Sequence, residues 1–268
     1  MPSSLPERIP VFILCGGRGT RMGELAAGRP KPMVEIDGEP LLCHLMQAYA
    51  RFGFRRFILC TGHRGDVISS YFMNYPVASQ DFTVDLGNRS ISFHQTDRLP
   101  DWQVTIAHTG SDSMTGARVA RAAARYLDAE ETFAVTYGDG LTDADLGAEM
   151  IFHLVHRRIG TVLAVNPTSS YGEFRVATNG MSHFMEKPRL DDRWINGGFF
   201  FFRRQFLDYL SCDPDCVLER EPLQRLSEQG ELALFHHEGF WSSMDTPNDH
   251  ERMNALCEGG ARPWLGAR

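Results

Sequence analysis

Val11-Phe12-Ile13-Leu14-Cys15-Gly16-Gly17-Arg18-Gly19-Thr20-Arg21 is followed, after a short gap, by Arg29-Pro30-Lys31-Pro32-Met33-Val34-Glu35. An apolar, β-rich run thus ends in a glycine loop that carries Arg21, and Lys31 stands ten residues further on between two prolines. Glycine lets backbone N–H groups come close to an anion, because it has no Cβ and reaches φ > 0 at little cost. A strand feeding such a loop presents a phosphate site at its carboxyl end. Arg21 and Lys31 add the full positive charges that a triphosphate demands. The pattern is not a P-loop, since no Lys-Ser or Lys-Thr follows the glycines, and it is not G-x-G-x-x-G; the loop reads G-G-R-G-T-R.

Working outward, strand and helix alternate. Leu41, Leu42, Leu45, Met46, Tyr49 and Phe52 recur at helical spacing, and Gly53 closes that helix. Residues 56–61 read as a second parallel strand, and Val67, Ile68, Tyr71 and Phe72 mark the next helix. Short alternating runs at 82–86 and 90–93, around Gly87-Asn88, predict a β-hairpin insertion, and 104–107 a core strand. Residues 109–116 form a polar loop before a helix over 117–127, with Val119, Ala123 and Tyr126 inward. Residues 132–137 are the best candidate for a buried strand and end in Gly138-Asp139-Gly140. A helix over 144–158 and a strand over 161–165 follow. The remainder is less regular. It holds strands at 173–178 and 181–185 joined by Asn179-Gly180, and a strand at 199–202 buried on both faces. A helix over 218–229, a strand at 232–235 and a loop at 241–247 come next. The last helix, with Pro247 in its first turn, runs to about 258. The sum is an α/β fold: a doubly wound, mostly parallel, Rossmann-like mixed sheet with a β-hairpin insertion. The glycine loop belongs at the carboxyl ends of its strands.

Composition bounds the rest. The chain has 268 residues, 43% hydrophobic and 23% charged, ample for a buried core. A net charge of −7 argues against a nucleic-acid partner, so any nucleotide site must concentrate its own Lys and Arg. No run reaches the roughly 20 apolar residues of a membrane span. Residues 1–8 lack the apolar core of a signal peptide and read as a short flexible arm, so a cytoplasmic location is expected. The cysteines, Cys15, Cys43, Cys60, Cys212, Cys216 and Cys257, are then expected as reduced thiols. Cys15 and Cys60 end apolar runs and read as small core residues. Cys212 and Cys216 have no second pair at a zinc-ligand spacing, and His94, His108, His236 and His237 read as ordinary strand or surface residues.

G-G-x-G-T-R followed by P-K-P-M resembles the signature of the sugar-1-phosphate nucleotidyltransferases, which join a sugar 1-phosphate to a nucleoside triphosphate and release pyrophosphate. Thr109-Gly110 with Met114-Thr115-Gly116-Ala117-Arg118 narrows the likeness to the glucose-1-phosphate cytidylyltransferases, as do 194–200, 221–223, 230–232, 239–241 and 244–246. The resemblance runs from about residue 9 to 264. It implies one nucleotidyltransferase domain over 1–268, with a nucleotide-binding part at 9–165 and a sugar-binding part plus C-terminal helix at 166–268. It also implies Mg²⁺, CTP, a hexose 1-phosphate (glucose 1-phosphate first) and self-association, for which the 82–99 insertion is the place to look.

Such a transfer needs few covalent helpers, because a sugar phosphate is already a nucleophile at neutral pH. The difficulty is electrostatic, so carboxylates for Mg²⁺ and separate cations for two phosphate groups are required. Asp139 alone would read as a solvated turn residue, and Asp245 alone as a helix N-cap. The resemblance makes both metal ligands, and makes Arg21, Lys31 and Lys187 the catalytic cations. It assigns the nucleotide to Leu14, Gly16, Gly17, Gly19, Thr20, Arg21, Lys31, Thr115, Gly116, Arg118 and Asp139, with Arg118 as the weaker phosphate or base contact. The sugar phosphate falls to Tyr171, Gly172, Glu186, Lys187, Asn196 and Gly197. The chain departs from the family with Cys15 where Ala is usual, with Ser242-Ser243 in place of a bulkier pair, and at Glu173-Phe174-Arg175 beside the sugar; a different sugar is therefore kept open. The same chemistry with another nucleotide, such as a thymidylyltransferase, is the first alternative. A non-catalytic nucleotide-binding regulatory module is the second, although the full set of Arg21, Lys31, Asp139, Lys187 and Asp245 is present. A metal-dependent glycosyltransferase would want a D-x-D pair, and Gly138-Asp139-Gly140 supplies one carboxylate.

Overall fold

The computed structural model describes residues 4–94, 99–127, 132–166, 171–176, 180, 182–186, 188 and 193–266. Its frame is a seven-stranded sheet of β1 (Val11–Cys15), β2 (Arg56–Thr61), β3 (Gln103–His108), β4 (Thr132–Tyr137), β5 (Gly160–Val165), β6 (Ile195–Arg203) and β7 (Leu232–His237). The strands lie in the order β7-β5-β6-β4-β1-β2-β3. Every strand runs parallel except β6, which is antiparallel to both neighbours, with Phe200 facing Val162 of β5 and Val135 of β4. The glycine-loop strand β1 is buried throughout and lies between β2 and β4.

The sheet carries helices on both faces: α1 (Leu41–Ala50), α2 (Gly65–Ser79), α3 (Thr115–Tyr126), α4 (Leu146–His156), α5 (Glu221–Glu228) and α6 (Pro247–Glu258). Side chains alternate along a strand, and that period sorts the core into two layers. Val11, Ile13, Phe199 and Phe201 pack with α1, Ile68, Met150 and Met253. Phe12, Leu14, Phe200 and Phe202 pack with Val119, Ala122 and Ala123 of α3 and Leu226 of α5. An aromatic run such as Phe199-Phe200-Phe201-Phe202 is tolerated because both of its faces are covered.

The doubly wound, mostly parallel sheet expected from the sequence is the one present. Residues 82–85 and 90–93 do form an antiparallel hairpin between α2 and β3. Three expectations are corrected. β3 is an edge strand rather than a core strand: among the described residues β2 is its one neighbour in the sheet, and of its six residues only Ala107 is buried. Trp241–Ser243 is not a loop but a short strand paired with Gly140–Thr142, a pairing dictated by a distant partner and carrying no local pattern. The start of the chain is not simply an arm, since Leu5–Arg8 makes a helical turn held by a Ser4/Glu7 capping box. The Asn179 side of the 173–185 turn lies outside the described residues. Among the described residues no helix is long and apolar enough to cross a membrane.

One feature of the interior stands apart from the apolar packing. Glu149 and His153, one turn apart on α4, are fully buried, and the Glu149 oxygens and His153 Nε2 have no hydrogen-bond partner among the described residues. Burial pushes the Glu149 carboxyl well up and the His153 imidazole down to about 3, each away from its charged form.

Candidate active site

The chain's strand order reverses between β1 and β4, and the loops that leave these two strands open a crevice at their carboxyl ends. The ends are locked together: Gly138 N–H donates to Leu14 O at 3.1 Å, and a Cβ on Gly138 would lie 2.8 Å from Pro32 Cγ. Gly19 sits at φ +61°, turning the loop into the Thr20–Ala26 helical turn that presents Arg21.

Lys31 enters between its two prolines and is only 8% exposed. Its Nζ donates at 2.7 Å to Asp139 Oδ2, beyond β4, and at 2.7 Å to Asp245 Oδ1, before α6. Arg21 reaches the same Asp245 oxygen at 2.8 Å, and Ser243 Oγ donates to Asp245 Oδ2 at 3.0 Å. Partial burial works to raise the Asp245 carboxyl, but the Lys31 hydrogen bond and charge, with Ser243 and Arg21, outweigh it and hold the group below its usual range. The N-cap of α6 is Thr246, which accepts from Asp249 N–H and completes a capping box, so Asp245 is left to face the crevice. Residues 108 and 214 positions away from Lys31 thus meet on one ammonium. They line a cavity of about 240 Å³ together with Gly17, Thr20 and Arg21.

A second hollow of about 370 Å³ shares Gly17 and is lined by Leu14, Gly16, Thr115 and Glu219. Arg118 lies beneath it, 4% exposed. The sequence marks Arg118 for ligand contact, yet its guanidinium is turned to protein oxygens. It donates to Gly110 O at 2.7 Å, Thr61 O and Thr109 Oγ1 at 3.0 Å, and Gly16 O at 3.1 Å. A Cβ on Gly16 would fall 2.0 Å from its Cζ. Gly16 therefore makes room for an arginine that ties the loops after β1, β2 and β3 together. Above the hollow, Arg18 pairs with Asp112 at 2.7 Å.

The Thr115 hydroxyl is likewise engaged, donating to Glu219 Oε2 at 2.6 Å and accepting from Leu218 N–H at 2.9 Å. Gly116 is packed against Cys216, where a Cβ would meet Sγ at 2.7 Å. On the far side, Asn196 is exposed and buried Gly197 accepts from Trp241 Nε1 at 2.7 Å. Tyr171 is 79% exposed beside Gly172, whose missing Cβ leaves space for the Phe184 ring, and Glu186 is exposed nearby. Lys187 lies outside the described residues. Sequence reasoning missed Tyr137, Ser243 and Glu219, which belong to no short motif; Tyr137 and Glu219 meet across 82 residues, and Ser243 acts on Asp245 two positions on. Among the described residues, no three His, Cys, Asp or Glu side chains converge as a metal site. A hard divalent ion such as Mg²⁺ nevertheless fits Asp139 and Asp245, because it is commonly held by one or two carboxylates, with waters and substrate phosphates completing the shell. The ammonium already shared by the two carboxylates shows that their oxygens converge on a cation.

A switch-point crevice with a basic glycine loop and two carboxylates has the chemistry of an α/β protein that handles polyphosphates. The sequence model of the nucleotidyl transferase family matches residues 11–255. The glucose-1-phosphate cytidylyltransferases of Salmonella typhimurium and Salmonella typhi are each 41% identical over 252 residues, covering 94% of this chain and 97% of the relative. The chain belongs to the nucleotidyl transferase family, in the group of the glucose-1-phosphate cytidylyltransferases. The crystal structure of HddC from Yersinia pseudotuberculosis shares the fold at 21% identity, with a TM-score of 0.65 over 94% of this chain and all of that one.

Proposed function

We propose that this chain transfers the cytidylyl group of CTP to glucose 1-phosphate, giving CDP-glucose and pyrophosphate. The observation that carries the reading is Lys31, held between Asp139 and Asp245 at the end of the glycine loop. The Thr115-Gly116 segment and the Salmonella relatives support CTP and glucose 1-phosphate as the pair. An oxygen of the sugar phosphate bonds to the α-phosphorus as the bond to the β-phosphate bridging oxygen breaks, and pyrophosphate leaves with that electron pair. No proton needs to be moved. Arg21 and Lys31 stabilise the triphosphate and the growing charge of the leaving group. Lys187 receives the incoming phosphate, and Glu186, Asn196 and Gly197 orient the sugar. Asp139 and Asp245 would hold Mg²⁺, which when bound supplies charge neutralisation to the phosphates. The partners that follow are CTP, a sugar 1-phosphate and further copies of the chain, the last through the exposed apolar 82–93 hairpin, where Leu86 is 85% exposed.

Pyrophosphate release with Mg²⁺, measured across the four nucleoside triphosphates and several sugar 1-phosphates, tests the reading. CTP with glucose 1-phosphate is expected to dominate by kcat/KM. Preference for another sugar with CTP would shift the sugar assignment to the 173–175 segment, and no turnover with any pair would sink the enzyme reading.

A further inference from the structure

Glu219 precedes α5 and forms a joint between the two sides of the crevice. Its Oε2 accepts from the hydroxyl of Thr115, the first residue of α3, and its Oε1 accepts from the hydroxyl of Tyr137, the last residue of β4, both at 2.6 Å. The Tyr137 phenol oxygen Oη accepts in turn from Asn196 Nδ2 at 3.2 Å, and Asn196 Oδ1 accepts from Gly198 N–H at 2.8 Å. Gly198 has φ +80°, and a Cβ there would strike the Tyr137 ring at 2.3 Å, so the backbone is shaped around that ring. The carboxylate itself lines the hollow beside the glycine loop.

The polarity of this chain of bonds has one source. A carboxylate offers only acceptors, so both hydroxyls must donate to it. Tyr137 then has only lone pairs left to offer, and Asn196 must turn its NH₂ toward them. The Asn196 carbonyl is thereby aimed at Gly198 N–H. Burial, followed by the Glu219 charge and hydrogen bond, pushes the Tyr137 phenol upward and keeps it a donor.

We infer that Glu219 is a positioning residue that couples the nucleotide and sugar-phosphate sides of the site, setting the direction of the hydrogen bonds that orient Asn196. The inference rests on the reading of Asn196 as a sugar contact in the reaction proposed above. Glu219→Gln keeps the size of the side chain but makes one of its two arms a donor, which reverses one hydroxyl. Tyr137→Phe removes the link altogether.

Steady-state pyrophosphate release with both single variants and the double variant tests this. Each single variant is expected to raise the KM for the sugar phosphate about tenfold, with kcat within about threefold and a melting temperature within a few degrees of wild type. The double variant is expected to be no worse than the worse single one, because both changes cut the same path. An unchanged sugar KM in Glu219→Gln overturns the inference, as do single effects that multiply in the double variant. An inactive wild type would instead remove the proposed reaction and this inference with it; an active wild type with unaffected variants would remove the inference alone.

Discussion

Lys31 makes one nitrogen the meeting point of two carboxylates that the chain places far apart. Removing one carboxylate leaves the ammonium with the other, so the fold should tolerate the loss. Asp139→Asn is expected to lower kcat by roughly 10²–10³, the usual scale for a preorganised electrostatic contact in an active site. Its denaturation midpoint should stay close to wild type. Wild-type turnover in this variant would take Asp139 out of the reaction. A large fall in stability instead would make it a structural residue.

At the scale of elements, three loops converge on Arg118, and Gly16 is small because the guanidinium occupies the space where its side chain would be. Gly16→Ala should therefore destabilise by about 1–3 kcal/mol, as overpacking does, and should raise the KM for CTP by displacing the loop. Urea denaturation alongside kinetics checks both, and a neutral effect would show that the arginine can move aside. These elements also show what the sequence discloses. The alternation of apolar runs gave away the sheet, because burial on both faces imposes continuous hydrophobic strands such as β1 and β4. Lys31, Asp139 and Asp245 were legible because motifs mark them, and they do come together. The purpose of Gly16 was not legible: a glycine beside a phosphate loop and a glycine beside a buried arginine look identical in a chain. The strand character of Trp241–Ser243 and the joint at Glu219 depend on tertiary partners, and no local spacing announces them.

For the whole molecule, stability should respond to pH through the buried pair on α4. Glu149 has its pKa raised by folding, so its favourable contribution is complete below the unfolded value of about 4.3 and is lost as pH rises above it. His153 has its pKa depressed to about 3, so its contribution is present above the unfolded value of about 6.5 and is lost as pH falls below it. The advantage of Glu149→Gln over wild type, measured as urea midpoints from pH 4 to 8, should grow with pH; a constant difference would mean that Glu149 is ionised in the folded protein. The placement of β6 has a consequence for how the chain is made. β4 and β5 are neighbours in sequence order but are separated in the sheet by β6, supplied from residues 195–203. Until that segment leaves the ribosome, β4 and β5 each present an unpaired apolar edge, the arrangement most prone to aggregation. A fragment ending at residue 165 is therefore expected to collect in the insoluble fraction on expression, and a soluble, cooperatively melting fragment would contradict this. The aromatic run of β6 is thus what joins β4 to β5, closing between them a gap that the earlier residues leave open.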